Sequence, residues 1–221
     1  MFRNNLIEKI REEKLIAIIR NISRENIVKT AEAVIDGGIH LLEIAFDASH
    51  VVPDEQVAKN ISELVETFGG DAYFGAGTVL SDMQVKLVQQ AGGSFVISPN
   101  VDKNVIRATR KENLVSIPGA FSPTEIINAN KFGADFVKVF PASALGVQYI
   151  RAIKAPISNV ELLAVGGVTE KDIEDYMSAG IAGFGIGANI VDRKVVDTGD
   201  FTLIKHRAQS YVEAVKKAEG K

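Results

Sequence analysis

Asp135-Phe136-Val137-Lys138-Val139-Phe140-Pro141 is an apolar run with one lysine at its centre. Read as a strand, it puts Phe136, Lys138 and Phe140 on one face and Val137 and Val139 on the other, because successive side chains alternate. The lysine then points inward. An ammonium is seldom fully buried without a partner, since leaving water is costly and drives the group toward its neutral form. A neutral buried amine attacks carbonyl carbons and forms Schiff bases. The competing reading is a lysine at a strand end whose stem packs while its head snorkels into solvent. The rest of the chain decides between the two.

Similar apolar runs recur near residues 15–19, 41–46, 72–77, 94–98, 114–118, 161–165 and 183–187, each followed by a helical pattern. The clearest helices are Asp82 to Gln90, Asp102 to Lys111, Pro123 to Lys131 and Glu170 to Ser178, and Ser23 offers an N-cap for a helix that stops at Gly37-Gly38. Ahead of the first run, Leu6, Ile7 and Ile10 recur at helical spacing, so Leu6 to Lys14 reads as a short amphipathic helix. Eight strands alternating with helices leave a doubly wound sheet or a (β/α)8 barrel. Arg20, Glu43, Thr78, Lys138 and the Gly166-Gly167 pair fall at or near the C-terminal ends of different strands. An open sheet would spread them apart, whereas a closed barrel brings them to one mouth. The expected fold is therefore α/β, a (β/α)8 TIM barrel with a short N-terminal helix, forming one domain over residues 1–221.

Composition narrows the chemistry. The chain has 221 residues, 46% of them hydrophobic, enough for one large core, and no low-complexity linker divides it. A net charge of -3 without a basic cluster argues against a nucleic-acid partner and suits a small neutral or anionic ligand. There is no cysteine, and His40, His50 and His206 are scattered singly, so neither a disulfide framework nor a metal-ligand pattern is expected. No apolar run approaches the roughly 18 residues of a membrane span. Met1-Phe2-Arg3-Asn4-Asn5 lacks the apolar core of a signal peptide, so a soluble cytoplasmic protein is expected.

Within Leu41-Leu42-Glu43-Ile44-Ala45-Phe46, alternation puts Glu43 on the inner face with Leu41 and Ala45. Two explanations are open: a buried ion pair with Lys138, or a general acid/base serving a Schiff base on Lys138. Thr78, given the inward parity of Phe74 and Ala76, offers a hydroxyl to a ligand carboxylate; its bland reading, a helix cap, is better filled by Ser81. Arg20 shares the parity of Ile16 and Ile18, and a guanidinium at a barrel mouth binds carboxylate or phosphate in bidentate fashion. Its competing reading is a surface arginine paired with a loop acid. Val165-Gly166-Gly167-Val168-Thr169 and Gly183-Phe184-Gly185-Ile186-Gly187-Ala188-Asn189 end strands seven and eight. In barrels these loops form the recurrent phosphate site, with amides at helix N-termini facing the anion.

These residues, in this order, resemble the class I pyruvate-dependent aldolases that split 2-keto-3-deoxy-6-phosphogluconate, a family also described as 4-hydroxy-2-oxoglutarate aldolases. The resemblance runs from about Leu15 to about Ile190. It is carried by Ala17-Ile18-Ile19-Arg20, Leu42-Glu43-Ile44, Gly75-Ala76-Gly77-Thr78-Val79, Ile97-Ser98-Pro99, Ile117-Pro118-Gly119, Val137-Lys138-Val139-Phe140-Pro141 and Gly166-Gly167-Val168. It implies Lys138 as the Schiff-base lysine and Glu43 as the acid/base. Thr78 and Arg20 would contact the pyruvate carboxylate, and Phe140 and Pro99 would line the pocket. Gly166, Gly167, Gly187 and Ala188 would hold the phosphate. It also implies a homotrimer and a reaction without metal or organic cofactor.

Two departures bear on substrate. Where many members carry an arginine two strand steps after the glutamate, this chain reads Ala45-Phe46-Asp47; where many have a threonine before the double glycine, it has Val165. The second departure, with Phe140-Pro141-Ala142-Ser143-Ala144-Leu145-Gly146 and Gln148-Tyr149-Ile150, looks like the branch acting on the galactonate epimer. Asp47 is either a replacement acceptor for a substrate hydroxyl or a solvated loop acid. Ala188 stands where a serine is frequent, leaving only backbone donors there. The resemblance thus implies cleavage of a 2-keto-3-deoxy-6-phosphoaldonate to pyruvate and glyceraldehyde 3-phosphate. The alternatives are cleavage of 4-hydroxy-2-oxoglutarate to pyruvate and glyoxylate, and a barrel that binds a sugar phosphate without catalysis.

Overall fold

Strands covered on both faces need apolar side chains at every position, which is why the runs are continuous and not alternating. In the computed structural model, which describes residues 2–49 and 51–220, they form β1 (Leu15–Ile19), β2 (Leu41–Ala45), β3 (Tyr73–Gly77), β4 (Phe95–Ile97), β5 (Val115–Ile117), β6 (Gly119–Ala120), β7 (Val137–Val139), β8 (Leu162–Val165) and β9 (Gly183–Ile186). Met1 of the expected leaderless start, His50 of the scattered histidines and Lys221 at the end of the expected domain lie outside the described residues.

All nine strands are parallel and lie in one sheet, in the order β5-β4-β3-β2-β1-β9-β8-β7-β6. β5 and β6 are the halves of one barrel strand, interrupted at Pro118, whose ring nitrogen has no proton for the ladder. The barrel closes across this split strand: Asp135 N donates to Ser116 O at 2.9 Å and Lys138 N donates to Pro118 O at 2.9 Å. The result is the expected eight-stranded barrel.

The helices are α1 (Phe2–Glu13), α2 (Arg24–Asp36), α3 (Asp54–Phe68), α4 (Asp82–Gln90), α5 (Lys103–Lys111), α6 (Pro123–Phe132), α7 (Ala142–Lys154), α8 (Ile173–Ser178), α9 (Arg193–Asp197) and α10 (Phe201–Ala218). Local chemistry sets several starts. Ser81 accepts from Gln84 N at α4, Asp102 from Asn104 N and Val105 N at α5, and Ser122 forms a reciprocal capping box with Glu125 at α6. α8 begins three residues later than expected from Glu170, because Asp172 accepts from both Thr169 N and Thr169 Oγ1 and holds that stretch as a turn. None of the described helices is long and apolar enough to cross a membrane.

Two apolar layers result. Outside the sheet, Leu42, Ile44, Phe74, Ala76, Val137 and Val139 pack against the helices. Inside the barrel, Ile16, Ile18, Leu41, Phe95, Phe136, Leu163 and Val165 pack on one another, with Leu6 and Ile10 of α1 closing the N-terminal end. The alternation expected for β1, β2 and β7 is the one observed. On β3 it is reversed: Phe74 and Ala76 face the helices, while Gly75 and Gly77 face inward, where a Cβ would meet Phe95 and Glu43 respectively.

Candidate active site

Lys138 is the middle residue of β7, with Gly119 and Leu163 as its register neighbours. Glu43 is the middle residue of β2, flanked by Ile18 and Gly75. Both side chains point into the barrel near its C-terminal end, Lys138 6% and Glu43 1% exposed. A cavity of about 690 Å³ opens above them. Arg20, Glu43, Thr78, Pro99, Lys138, Phe140, Val165, Gly166, Gly167, Gly187 and Ala188 all line it, so the geometry brings every expected site residue into one space.

The two buried charges do not neutralise each other in a direct ion pair. Among the described residues no carboxylate oxygen lies within the 4.0 Å ion-pair limit of Lys138 Nζ, and Glu43 Oε2 is buried without a hydrogen-bond partner. Lys138 Nζ instead sits 4.9 Å from the centroid of the Phe140 ring, whose negative face attracts a cation. Burial pushes the Glu43 carboxyl above the usual carboxylate range, against the opposing pull of Lys138 and Arg20. Burial likewise lowers Lys138; Glu43 opposes the shift and the Arg20 guanidinium adds to it. Both groups are thereby biased toward their neutral forms, an amine able to attack a carbonyl and an acid able to hold or give a proton.

Thr78 reaches the cavity by a different route from the one alternation suggests. The helix-facing parity of β3 would turn it outward, but its backbone adopts φ +57°. For a β-branched residue this left-handed conformation is strained, and it swings the side chain toward the mouth. There Arg20 Nη2 donates to Thr78 Oγ1 at 3.3 Å. Among the described residues no loop acid hydrogen-bonds Arg20, as the competing reading would have it; Arg20 lines the cavity with Thr78.

Asp47 does not join them. Its Oδ1 accepts from Ser49 N and Ser49 Oγ, its Oδ2 from Val51 N and Val52 N, and these bonds lower its pKa to about 2. Its carboxylate therefore shapes its own loop and is not the substituted hydroxyl acceptor.

Gly166 and Gly167 adopt φ +94° and +75°, which favour glycine, and a Cβ on Gly167 would lie 2.1 Å from Ser143 Oγ. Of the two helices that follow these loops, α9 places its first residue, Arg193, on the cavity wall. α8 begins at Ile173, and the loop residues Gly166, Gly167, Gly187 and Ala188 line the cavity ahead of both helices. Asn189 Nδ2 donates to Val168 O at 3.0 Å and to Tyr211 Oη at 3.1 Å, tying the loop after β9 to the loop after β8.

The cavity also includes Asn21, Val191 and Arg193, which no motif singled out. Asn21 carried one signal, since asparagine after a strand tolerates the left-handed backbone it adopts at φ +55°. Arg193 carried none: it opens a five-residue helix, exposed, with Asp197 Oδ2 at 3.5 Å as an ionic neighbour.

Comparison with known proteins follows this geometry. The family model described as KDPG and KHG aldolase matches residues 6–207. The chain is 36% identical over 177 residues to the 2-dehydro-3-deoxy-6-phosphogalactonate aldolase of Escherichia coli K12, covering 80% of this chain and 83% of that one. A solved structure named "Native KDPGal structure" superposes with a TM-score of 0.84 at 33% identity, covering 94% of this chain and 96% of the other. The KDPG aldolase of Legionella pneumophila, named as holding pyruvate captured at low pH as a covalent carbinolamine intermediate, superposes with a TM-score of 0.81 at 30% identity, covering 90% and 94%.

Proposed function

The chain belongs to the KDPG and KHG aldolase family, and from that premise we propose that it is a class I aldolase cleaving a 2-keto-3-deoxy-6-phosphoaldonate to pyruvate and glyceraldehyde 3-phosphate. The observation that carries this reading is a buried Lys138, its pKa lowered by that burial, in the same cavity as a buried carboxyl group, Glu43, whose Oε2 has no hydrogen-bond partner. Neutral Lys138 attacks the C2 ketone, and the carbinolamine hydroxyl takes up a proton from solvent and leaves as water, giving a protonated imine whose charge favours the carboxylate form of Glu43. The C4 hydroxyl gives its proton to Glu43 through a water, the C3–C4 bond breaks, and its electron pair enters the imine to form an enamine as the aldehyde phosphate departs. Glu43 returns the proton to C3; water then hydrolyses the imine, releasing pyruvate, the free amine and the proton taken up at dehydration. The imine is the electron sink, so the reaction draws on no metal or organic cofactor.

Arg20 and Thr78 hold the substrate carboxylate, and Phe140 and Pro99 form the wall. Gly166, Gly167, Gly187 and Ala188 cradle the phosphate, and Arg193 is a further cation on the cavity wall. A phosphate handle favours the phosphorylated sugar acid over 4-hydroxy-2-oxoglutarate, and kcat/KM for phosphorylated and unphosphorylated substrates separates the two. A non-catalytic barrel gains nothing from burying Glu43 without a partner. Val165 supports the galactonate epimer, in keeping with the Escherichia coli relative named for that substrate. The same reading makes residues 1–221 one domain, the assembly a homotrimer and the location cytoplasmic.

The decisive experiment is incubation with pyruvate and borohydride followed by peptide mapping. A pyruvyl adduct on Lys138 is expected; an adduct on another lysine, or none, overturns the proposal. Lys138→Arg abolishes turnover, because arginine stays protonated and cannot form the imine.

A further inference from the structure

We propose that Gly77 is a positioning residue for Glu43: the space its missing Cβ leaves is the seat of the Glu43 carboxyl group. This inference rests on the aldolase reading of Lys138 and Glu43.

β2 and β3 are register neighbours, with Glu43 opposite Gly75 and Ala45 opposite Gly77. From its place opposite Gly75 the Glu43 side chain reaches along the barrel toward the C-terminal end and lies over Gly77. A Cβ built on Gly77 would stand 1.6 Å from Glu43 Oε1, 2.2 Å from its carboxyl carbon and 2.7 Å from its Cγ. No side chain at all fits there while the carboxyl group keeps its position. Gly75, two residues earlier on the same inward face, gives a contrast. The nearest atoms its Cβ would meet belong to Phe95, the ring and the carbonyl oxygen at 2.4 Å. The two glycines thus look alike in sequence and differ in what they make room for. The next residue, Thr78, is turned into the cavity by its left-handed backbone. Consecutive residues therefore place two parts of the site, Gly77 by absence and Thr78 by orientation.

The consequence falls on proton transfer and not on imine formation. Lys138 attacks the ketone from β7, whose geometry Gly77 does not touch. Removal of a C3 proton from the pyruvate imine, and its return to the enamine, requires the Glu43 carboxyl group within reach of C3 directly or through one water.

The test compares Gly77→Ala, Gly75→Ala and Glu43→Gln with wild type, using pyruvate as the probe. Borohydride trapping on Lys138 reports imine formation, and exchange of the pyruvate methyl protons with deuterated water, followed by NMR, reports proton transfer. In Gly77→Ala, trapping per folded chain stays within about twofold of wild type while exchange falls by roughly 10² or more, the lower bound for losing a general acid/base, as it does in Glu43→Gln. Gly75→Ala, which displaces Phe95, is a control for general disturbance of the barrel interior, and exchange per folded chain stays near wild type. Exchange in Gly77→Ala within about threefold of wild type, or slowed equally in Gly75→Ala, overturns the proposal. Should Gly77→Ala alone fail to fold, a stability cycle decides. Glu43→Ala removes the three atoms nearest to the added methyl, so the thermal cost of Gly77→Ala shrinks in that background; an equal cost in both backgrounds overturns the proposal. A wild type that neither traps pyruvate on Lys138 nor exchanges its methyl protons is a failure of the aldolase reading itself, and is distinct from either result.

Discussion

Val165 ends β8 opposite Gly185, buried in the inner layer and on the cavity wall. It offers methyl groups where a threonine would offer a hydroxyl, so a substrate hydroxyl pointing at it goes without that hydrogen bond. A site built to bond a hydroxyl rejects the epimer that misplaces it, because a buried polar group is left unpaired. The galactonate epimer is therefore expected to be accepted at least as well as the gluconate one, and Val165→Thr to shift the kcat/KM ratio toward gluconate by roughly 1–2 kcal/mol for one regained hydrogen bond. A wild type with strong gluconate preference, or an unchanged ratio in the variant, removes Val165 as the discriminating position. At this scale much was legible. The parity of Lys138 and Glu43 followed from β-branched runs with one polar interruption, a pattern that strand alternation makes unambiguous. Thr78 was placed in the site on the wrong parity, because Gly75 and Gly77 have no side chains to mark a face and the left-handed turn at Thr78 resets the alternation. The loop bonds that occupy Asp47, and the approach of Arg193, depend on loop conformations that no period encodes.

Among the elements, α1 does the least obvious job. Its helical spacing of Leu6, Ile7 and Ile10 announced a buried face but not the surface it covers, since an amphipathic pattern names no partner. That surface is the bottom of the barrel, where Leu6 and Ile10 meet the inner layer that includes Ile16, Phe95, Val115 and Phe136. Polar contacts hold the helix at this angle: Arg3 pairs with Asp135, and Arg11 Nε donates to Glu161 Oε1 at 2.9 Å. Burial raises the Asp135 carboxyl, against the pull of its hydrogen bond from Ser116 N and of Arg3, so the pair anchors α1 more by geometry than by net charge energy. Ile10→Ala removes most of one plug side chain and costs about 2–5 kcal/mol of stability, as for other fully buried truncations to alanine. Urea unfolding reads this as a lower midpoint, while pyruvate trapping on Lys138 keeps its stoichiometry, because the plug lies at the end of the barrel opposite the cavity. A loss of trapping in folded protein would show that α1 shapes the site as well as closing the barrel.

The whole molecule carries apolar surface that a solitary barrel does not need. Met83, Phe121 and Leu80 are 62%, 50% and 47% exposed, on the loops and helix starts that follow β3 and β6. Scattered single apolar residues are ordinary, but large apolar side chains recurring at one end of a barrel suit a contact between subunits. Sequence composition could not reveal this, because surface and core leucines or phenylalanines count alike; only the resemblance pointed to a homotrimer. In solution the mass by light scattering is expected at three times the 23.8 kDa of one chain. A symmetric interface repeats each substitution in every copy, so one charge added to each chain brings like charges together around the assembly. Met83→Glu combined with Phe121→Glu therefore shifts the protein toward the single-chain mass, and does so more strongly at low salt, where repulsion between the introduced carboxylates is least screened. Neither residue lines the cavity, so the variant retains pyruvate trapping on Lys138 if the site is complete within one chain. A single-chain mass for the wild type rules out the trimer, and an unaltered trimer in the double variant places the interface elsewhere on the barrel.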